Sequence, residues 1–192
     1  MNVWFGPPVG NATAFLLLLA GMLVLMLLAV VLFKWAAEKI WKGRARMKNA
    51  LSELESLLAM AVPRLQNFSD AESSSRPEPG KWAKKEILGH LIDSAGNNHQ
   101  RFVRAQLSGE IRLPGYEQER WVGTQSYQTE SWENLVQLWK TFNLHLLHVG
   151  TKIPAEKLNT TCFIGENMPV TLEFLFVDYV RHVKHHLKQI LG

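Results

Sequence analysis

Apolar side chains recur every three to four residues in four separate stretches of the chain, the spacing of a helix with one buried face. The pattern predicts helices at about 46–62, 82–107, 131–151 and 171–191. Ser131 and Thr171 stand at expected helix starts, where their side-chain oxygens can accept backbone N–H groups. No stretch alternates between apolar and polar residues in the manner of a strand. We therefore expect an all-α fold, a four-helix bundle over residues 43–192.

Two polar segments separate these predicted helices. Residues 69–80 contain two prolines and end in glycine, so they are expected to form a loop. Residues 108–130 show no clear period and are expected to form a long crossover connection. Loops of that length tend to cover functional sites. The side chains that this connection could place over a site are Tyr116, Glu117, Trp121 and Tyr127.

A further stretch, Ala14–Phe33, carries no charge over twenty residues and includes nine leucines. As a helix rising about 1.5 Å per residue it would span roughly 30 Å, which matches the hydrocarbon core of a bilayer. We expect one transmembrane helix at about 14–33 within an anchor domain, residues 1–42. A secretory signal peptide is the alternative, but residues 1–13 lack Lys and Arg and no small-residue cleavage site follows, which favours a retained anchor.

Basic residues follow the apolar run closely. Residues 34–48 contain six Lys and Arg side chains against the single acidic Glu38. Because positively charged flanks stay on the cytoplasmic side of a membrane, the C-terminal part is expected to face the cytoplasm. The sequence thus predicts a single-pass membrane protein whose basic flank contacts lipid headgroups.

The same flank accounts for the charge of the whole chain. The net charge is +4, and the flank's surplus of five leaves about −1 for the rest of the chain. This balance argues against a nucleic-acid-binding face. The single cysteine, Cys162, excludes an internal disulfide and suits a reducing compartment. It falls in a loop-like stretch, residues 159–169, and is expected to be an incidental thiol rather than a nucleophile.

Three histidines form the candidate chemical centre. His182 and His186 are four residues apart, so they lie on the same side of the last predicted helix. His90 lies in the second predicted helix, within a stretch of helical periodicity. If these helices face each other, three imidazoles can bind one divalent metal ion and leave a fourth position open for water or substrate.

Other histidines in the predicted helices are alternative candidates for metal ligands. His185 could in principle point inward, but His186 lies in the apolar stripe of the helix, so His185 is expected on the outer face. His145 and His148, three residues apart in the third predicted helix, are a rival pair. They have no polar neighbours in the sequence, and we expect them at the surface or at a rim.

Polar residues interrupt the apolar stripe of the second predicted helix and indicate a polar pocket within the core. Asp178 lies one turn before His182 in the last helix. It is either the acceptor that fixes the tautomer of His182 or an ion-pair partner of Arg181 or Lys184, and the sequence leaves both roles open. The interrupting residues are His90, Asp93 or Ser94, Asn97 and Arg101.

Two motifs stand out, RPEPGKWAKKEILGHLIDSAGNNHQRF at residues 76–102 and DYVRHVKHHLKQI at residues 178–190. In this order they resemble the DinB/YfiT-like superfamily, and the resemblance covers about 45–191. It implies a DinB-like four-helix bundle that binds a divalent metal, zinc or nickel, through three histidines matching His90, His182 and His186. Two features depart from the family's pattern. A membrane helix is unusual for it, and Ala83 stands where Ser or Thr commonly follows the tryptophan, which affects only a helix cap.

The resemblance also implies a reaction, the metal-dependent transfer of a low-molecular-weight thiol to an electrophile. Asn97, Arg101 and Trp121 are then candidates to bind the thiol's carboxylate or the second substrate. The nucleophile would be a metal-bound thiol or water, with Asp178, Asn97 and Arg101 as candidate catalytic residues. A metal-dependent hydrolase and a non-catalytic, membrane-tethered scaffold remain alternatives. The oligomeric state stays open, with a homodimer among the alternatives.

Overall fold

The computed structural model describes residues 12–192, so residues 1–11 of the predicted anchor domain lie outside the described residues. The chain divides after Trp41 into two compact units. The helices are α1 (Ala12–Gln66), α2 (Asp70–Ser74), α3 (Lys84–Leu107), α4 (Gln118–Gln125), α5 (Trp132–Lys152) and α6 (Leu172–Leu191). The strands are β1 (Glu110–Leu113), β2 (Thr161–Ile164) and β3 (Val170–Thr171).

The first unit contains the apolar part of α1. All side chains in residues 15–33 are exposed in the structure, including Phe15, Leu25 and Phe33. By length and composition, α1 is the one described helix that is long and apolar enough to cross a membrane. A continuous exposed apolar surface of this extent is typical of a segment that contacts lipid or a protein partner.

The second unit is a four-helix bundle, as the periodicity predicted. Its long helices are the C-terminal part of α1, α3, α5 and α6, and each buries one apolar face in a common core. Helix α3 packs against both α5 and α6. Several of its polar residues, among them His90, Asp93, Ser94 and Asn98, are therefore buried within the core. The largest fully buried side chains include Leu54, Leu65, Leu88, Leu91, Phe102, Trp139, Leu146, Phe176, Tyr179 and Leu187.

The expectation of no strands is wrong, because β1, β2 and β3 form a small sheet. Strand β1 pairs in parallel with β2, with Ile111 opposite Cys162, and β2 pairs antiparallel with β3. The strands have four residues at most, too few for an alternating pattern to stand out from the surrounding loops. Cys162 accordingly lies in β2 rather than in a loop, and it is fully buried.

Two of the segments expected to be loops contain short helices. Helix α2 lies within residues 69–80, and Ser69 caps it by accepting the Glu72 N–H at 3.2 Å, while the Glu72 carboxylate accepts the Ser69 N–H at 2.8 Å. Helix α4 lies within the long connection, residues 108–130. Both are of eight residues or fewer, which is too short for a clear helical period.

Capping residues determine where the longer helices begin. Ser131 Oγ accepts the Asn134 N–H at 3.2 Å at the start of α5, and Thr171 Oγ1 accepts the Phe174 N–H at 3.1 Å at the start of α6. Both caps agree with the sequence prediction. At the start of α3, Ala83 has no side-chain oxygen, and the Glu86 carboxylate instead accepts the Ala83 N–H at 2.8 Å.

Candidate metal centre

The antiparallel packing of α3 and α6 brings histidines from both helices together. Lys84 Nζ, at the start of α3, donates to the Ile190 carbonyl near the end of α6 at 2.8 Å, while the end of α3 packs beside the start of α6. His90 on α3 therefore faces His182 and His186 on α6. One nitrogen from each of the three rings lies within 4.8 Å of the others. The three histidines singled out in the sequence thus form one cluster.

Hydrogen bonds hold the outer nitrogens of the two α6 rings. His182 Nδ1 is 3.3 Å from Ser94 Oγ, and His186 Nδ1 is 2.7 Å from Gln189 Oε1. His182 Nε2 is 3.0 Å from His90 Nε2. Because both α6 rings have their Nδ1 atoms occupied, their Nε2 atoms are the nitrogens free to bind a shared ligand.

Burial keeps these imidazoles neutral. Burial is the main cause that lowers the pKa of His90 to about 3, and repulsion from His182 and His186 adds to it. Burial likewise lowers the pKa of His182 to about 4, and it lowers the pKa of His186. Neutral imidazole is the form that ligates a metal ion, so the cluster is in the ligating state at neutral pH.

The three nitrogens fit a divalent transition metal ion. Two nitrogens that each lie about 2.0–2.1 Å from a tetrahedral zinc ion are roughly 3.3 Å apart. The Nε2 atoms of His90 and His182 are 3.0 Å apart, and no two of the three ligand nitrogens are more than 4.8 Å apart. The observed range therefore includes the separation expected around zinc. Nitrogen lone pairs this close repel unless a proton or a cation lies between them, and a shared cation would satisfy all three rings at once. Imidazole nitrogens suit both zinc and nickel, the two predicted metals.

Asp178 is not the hydrogen-bond partner of His182. Its partly exposed carboxylate accepts a hydrogen bond from Arg181 on the same helix, which is the second of the two roles that the sequence left open. Ser94, which comes from α3, occupies the position beside the His182 ring instead. The contact depends on the packing of two helices, so the spacing of residues along α6 alone did not show it.

The other predicted site residues make their hydrogen bonds elsewhere or lie at the surface. Asn97 Nδ2 donates to the Asp93 carbonyl at 2.9 Å, a bond within its own helix. Arg101 is partly buried, and its Nη1 donates to Asn98 Oδ1 at 3.3 Å. Trp121 on α4 is 42% exposed. Among the described residues, these side chains have no hydrogen bond to the three clustered histidines.

The histidines considered as alternative ligands, His185 and the pair His145 and His148, lie at the surface. His185 is exposed and contacts Gln189, with the two side-chain nitrogens 3.1 Å apart. His145 and His148 are exposed on α5, and their ring centroids are 6.4 Å apart. His99 on α3 lies beside them, 5.2 Å from the His145 ring.

A family model for the DinB superfamily matches residues 53–190. The chain belongs to the DinB superfamily. The resemblance seen in the two motifs is therefore confirmed. A protein of Oceanobacillus iheyensis whose name includes the words "metal-dependent hydrolase" is 21% identical over 140 residues, which cover 73% of this chain and 80% of that protein.

Solved structures have the same bundle. One of them is YfiT from Bacillus subtilis, described as a probable metal-dependent hydrolase with an unusual four-helix bundle topology. It aligns with a TM-score of 0.63 and 19% identity, and the alignment covers 75% of this chain and 83% of the YfiT chain. A mycothiol-dependent maleylpyruvate isomerase aligns with a TM-score of 0.63 and 13% identity, covering 76% of this chain and 60% of its own. At these identities the similarity shows a shared fold.

A surface groove of about 500 Å³ reaches the histidine cluster of this DinB protein. His186 and Gln189 form part of its lining, and so does Trp82, whose ring centroid is 5.5 Å from that of His90. The groove gives a small molecule a route to the His186 ring. The other lining residues are Pro77, Glu78, Gly80, Lys81, Ile87, Gln118 and Glu119.

A larger groove of about 1050 Å³ lies along a different face of α4 and contains no histidine. Its lining includes the aromatic pair Tyr116 and Trp121, whose ring centroids are 5.0 Å apart. Tyr116 lies close enough to Ser94, the residue that contacts His182, for the Ser94 side chain to lower the pKa of Tyr116, although burial, the largest cause, raises it.

Asp93 and Tyr127 were each named from the sequence, but the hydrogen-bond network that joins them, one helical turn after His90, was not predicted. Tyr127 donates to Asp93 Oδ1 at 2.7 Å, and Gln125 Nε2 donates to the same oxygen. Asp93 Oδ2 is buried with no hydrogen-bond partner among the described residues, and burial raises the pKa of this carboxyl. Asp93 follows His90 by one turn and interrupts the apolar stripe of α3, which are the local signals of this network. Tyr127 and Gln125 come from the long connection, where no period predicts their positions.

Proposed function

We propose that this chain is a membrane-anchored, metal-dependent enzyme of the DinB superfamily. In this proposal His90, His182 and His186 bind one divalent zinc or nickel ion per chain, and the enzyme transfers a low-molecular-weight thiol to an electrophile. The supporting observation is the convergence of three neutral imidazoles, two of which have their outer nitrogens held by hydrogen bonds. This arrangement is typical of a metal centre with oriented ligands.

A cation bound by three imidazoles lowers the pKa of a coordinated thiol or water and supplies a nucleophile at neutral pH. Ser94 and Gln189 orient the rings of His182 and His186, and Trp82 shields His90 from water on one side. In the transfer, the thiol sulfur forms a bond to the electrophilic carbon. The leaving group departs with the bonding electron pair, and the thiol proton passes to solvent.

A metal-dependent hydrolase is the second candidate. The name of the Oceanobacillus iheyensis relative and the description of YfiT both refer to metal-dependent hydrolysis in those proteins. The same three histidines suit that chemistry, because a cation that activates a thiol also activates water. The two candidates differ in whether turnover requires a thiol.

The metal part of the proposal is tested by elemental analysis of the full chain purified in detergent. We expect about one equivalent of metal in the wild type and a loss of most of it in the H182A/H186A double variant, because one remaining imidazole binds weakly. The H145A/H148A variant is the matched control, since it removes an exposed pair of histidines from α5. Equal metal content in all three proteins contradicts the proposal.

The reaction is tested by screening metal-loaded protein with common thiols and reactive electrophiles. Thiol-dependent consumption of the electrophile, lost in H182A/H186A, supports the transferase. Hydrolysis that proceeds without thiol supports the second candidate. Full metal occupancy without turnover of either kind favours the scaffold.

We also propose that residues 14–33 cross a membrane and that the second unit lies in the cytoplasm. The exposed apolar surface of α1 and the basic residues 34–48 support this arrangement. The full chain is expected to stay in the membrane pellet after alkaline carbonate extraction and to resist protease added outside intact cells. Release of the chain by carbonate, or its digestion from outside, contradicts the anchor or its orientation.

A further inference from the structure

A second group of histidines lies on the surface where α3 packs against α5. It consists of His99 on α3 and of His145 and His148 on α5, and we call it the surface histidine group. The ring centroids of His99 and His145 are 5.2 Å apart, and those of His145 and His148 are 6.4 Å apart. Of the seven histidines in the chain, three form the candidate metal centre, and three of the remaining four are therefore gathered at this one place.

The surface histidine group is separate from the candidate metal centre. His99 follows His90 by nine residues on α3, which is about two and a half helical turns. The two side chains therefore leave opposite sides of the helix, and their Cα atoms are displaced by roughly 13 Å along its axis. A ligand of the surface histidine group shares no side chain with the buried centre.

The ring nitrogens of the surface histidine group are not used in hydrogen bonds within the described part of the chain. Among residues 15–192, histidine side chains form hydrogen bonds only at positions 90, 182, 185 and 186. Burial, and then repulsion from His145, lowers the pKa of His99, so this imidazole is neutral at pH 7. A neutral imidazole whose nitrogen has no other partner is available as a metal ligand.

The spacing of His99 and His145 fits two ligands of one metal ion. Imidazole nitrogens lie about 2.0–2.1 Å from a bound zinc ion, which places the ring centroids of two tetrahedral ligands roughly 5 Å apart. The observed distance is 5.2 Å. Within the candidate metal centre the three centroid distances are similar, at 4.5, 4.8 and 4.9 Å. The 6.4 Å between His145 and His148 is longer, so His148 is a neighbour of the pair rather than a third ligand.

We propose that His99 and His145 form a second binding site for a divalent transition-metal ion, with water in the remaining coordination positions. Imidazole ligands favour an ion such as Zn²⁺ over Mg²⁺ or Ca²⁺, which prefer oxygen ligands. The bound ion links α3 to α5, whose packing already brings the two rings together. This site is independent of the proposed function, because it uses neither the buried histidines nor their chemistry.

The surface ion is expected to bind more weakly than an ion in the buried centre. Two protein ligands hold it instead of three, and His145 is exposed to water that competes for the ion. Purified protein should therefore retain the buried ion and lose the surface ion, which binds again when Zn²⁺ is added. This difference in affinity separates the two sites in a titration.

The test measures how fast each histidine reacts with diethyl pyrocarbonate, which modifies neutral imidazole nitrogens. The full chain in detergent is treated at increasing concentrations of Zn²⁺, and peptide mass spectrometry reports the modified fraction at each position. We expect Zn²⁺ to protect the partly exposed His99 and the exposed His145 with one shared dissociation constant, while the exposed His148 stays reactive. Mg²⁺ should protect neither ring, because it prefers oxygen ligands.

Single variants assign the two ligands. H145A removes an exposed ring and should leave the fold intact, yet it should weaken the protection of His99 by at least about tenfold. Losing even an outer hydrogen-bond partner of a metal ligand costs about 10–100-fold in metal affinity, and this variant removes one of only two ligands. H99A should weaken the protection of His145 to a similar extent. H148A is the matched control, since it removes a neighbouring exposed histidine from α5, and both protection curves should stay unchanged.

Three results contradict this assignment. If His99 stays as reactive with Zn²⁺ as without it, the two rings do not share an ion. Equal protection of His145 and His148 would show that the ion binds exposed histidines without selecting the pair. Unchanged protection of His99 in H145A would show that His145 is not a ligand. Each of these outcomes overturns the proposal.

Discussion

Gly89, directly before His90, has no side chain, and this absence makes room for the Tyr127 ring. A Cβ at position 89 would lie 2.1 Å from Tyr127 Cδ2, much closer than two carbon atoms can approach. The Tyr127 hydroxyl in turn donates to Asp93 Oδ1 at 2.7 Å. One missing side chain thus permits a hydrogen bond to one oxygen of the buried Asp93 carboxylate.

The G89A variant is expected to lower the free energy of unfolding by roughly 1–3 kcal/mol, because the Tyr127 ring must move and its bond to Asp93 is strained or lost. The measurement is the urea midpoint followed by tryptophan fluorescence. G96A is the matched control on the same helix, since its Cβ would be 3.7 Å from Phe142, an ordinary contact. Because alanine favours helix, G96A should be neutral or slightly stabilising. Equal loss in both variants contradicts the steric explanation.

Asp70 connects three helices. At the first residue of α2, its carboxylate accepts from the buried Lys85 of α3 at 2.9 Å and from the Trp132 N–H at the start of α5 at 2.9 Å. The hydrogen bond from Lys85, and then that from Trp132, lowers the pKa of Asp70. Lys85 is only 2% exposed, so its ammonium depends on this carboxylate for a charged partner.

A lowered pKa predicts how the stability of these contacts changes with pH. The folded protein binds the Asp70 proton more weakly than the unfolded chain, so the stabilisation is complete above about pH 4 and is lost as pH falls through the folded pKa. D70N should therefore melt at a lower temperature than the wild type at pH 7, and the difference should shrink in acid. Thermal midpoints measured over this range test the prediction.

The matched control for D70N is E55Q, which removes one negative charge from an exposed position on α1. It should leave the melting temperature nearly unchanged at every pH, since exposed single charges contribute little. A difference between D70N and wild type that is constant with pH would show that the charge of Asp70 is not the cause.

The chain divides after Trp41, and among residues 15–192 the buried core lies in the second unit. Every buried apolar residue of that range, from Met47 to Ile190, belongs to residues 42–192, whereas the large apolar residues from Phe15 to Trp41 are exposed. The His90, His182 and His186 cluster also lies within the second unit. Folding of the bundle is therefore expected to be independent of the apolar segment.

A chain of residues 42–192 should accordingly be monodisperse without detergent and bind the same amount of metal as the full chain. The full chain should require detergent or lipid, because its exposed apolar surface is too extensive for water. Size-exclusion chromatography and elemental analysis test both statements. Aggregation of residues 42–192 in buffer, or loss of their metal, would show that the first unit is needed for the fold.

Local patterns along the chain determined the four long helices of the bundle, two of their caps, the apolar segment and the three histidines. These features repeat over ten residues or more, or depend on neighbours one helical turn apart, so the order of residues is enough to show them. The two motifs also identified the DinB superfamily, which the family comparison confirmed.

Only the tertiary structure decided the rest. The β1–β2 pairing joins segments about fifty residues apart, Ser94 rather than Asp178 contacts His182, and Tyr127 of the long connection donates to Asp93. Each of these results depends on which side chains from different elements meet when the helices pack. Long-range packing and burial determine which side chains meet, and no local periodicity in the sequence predicts those contacts.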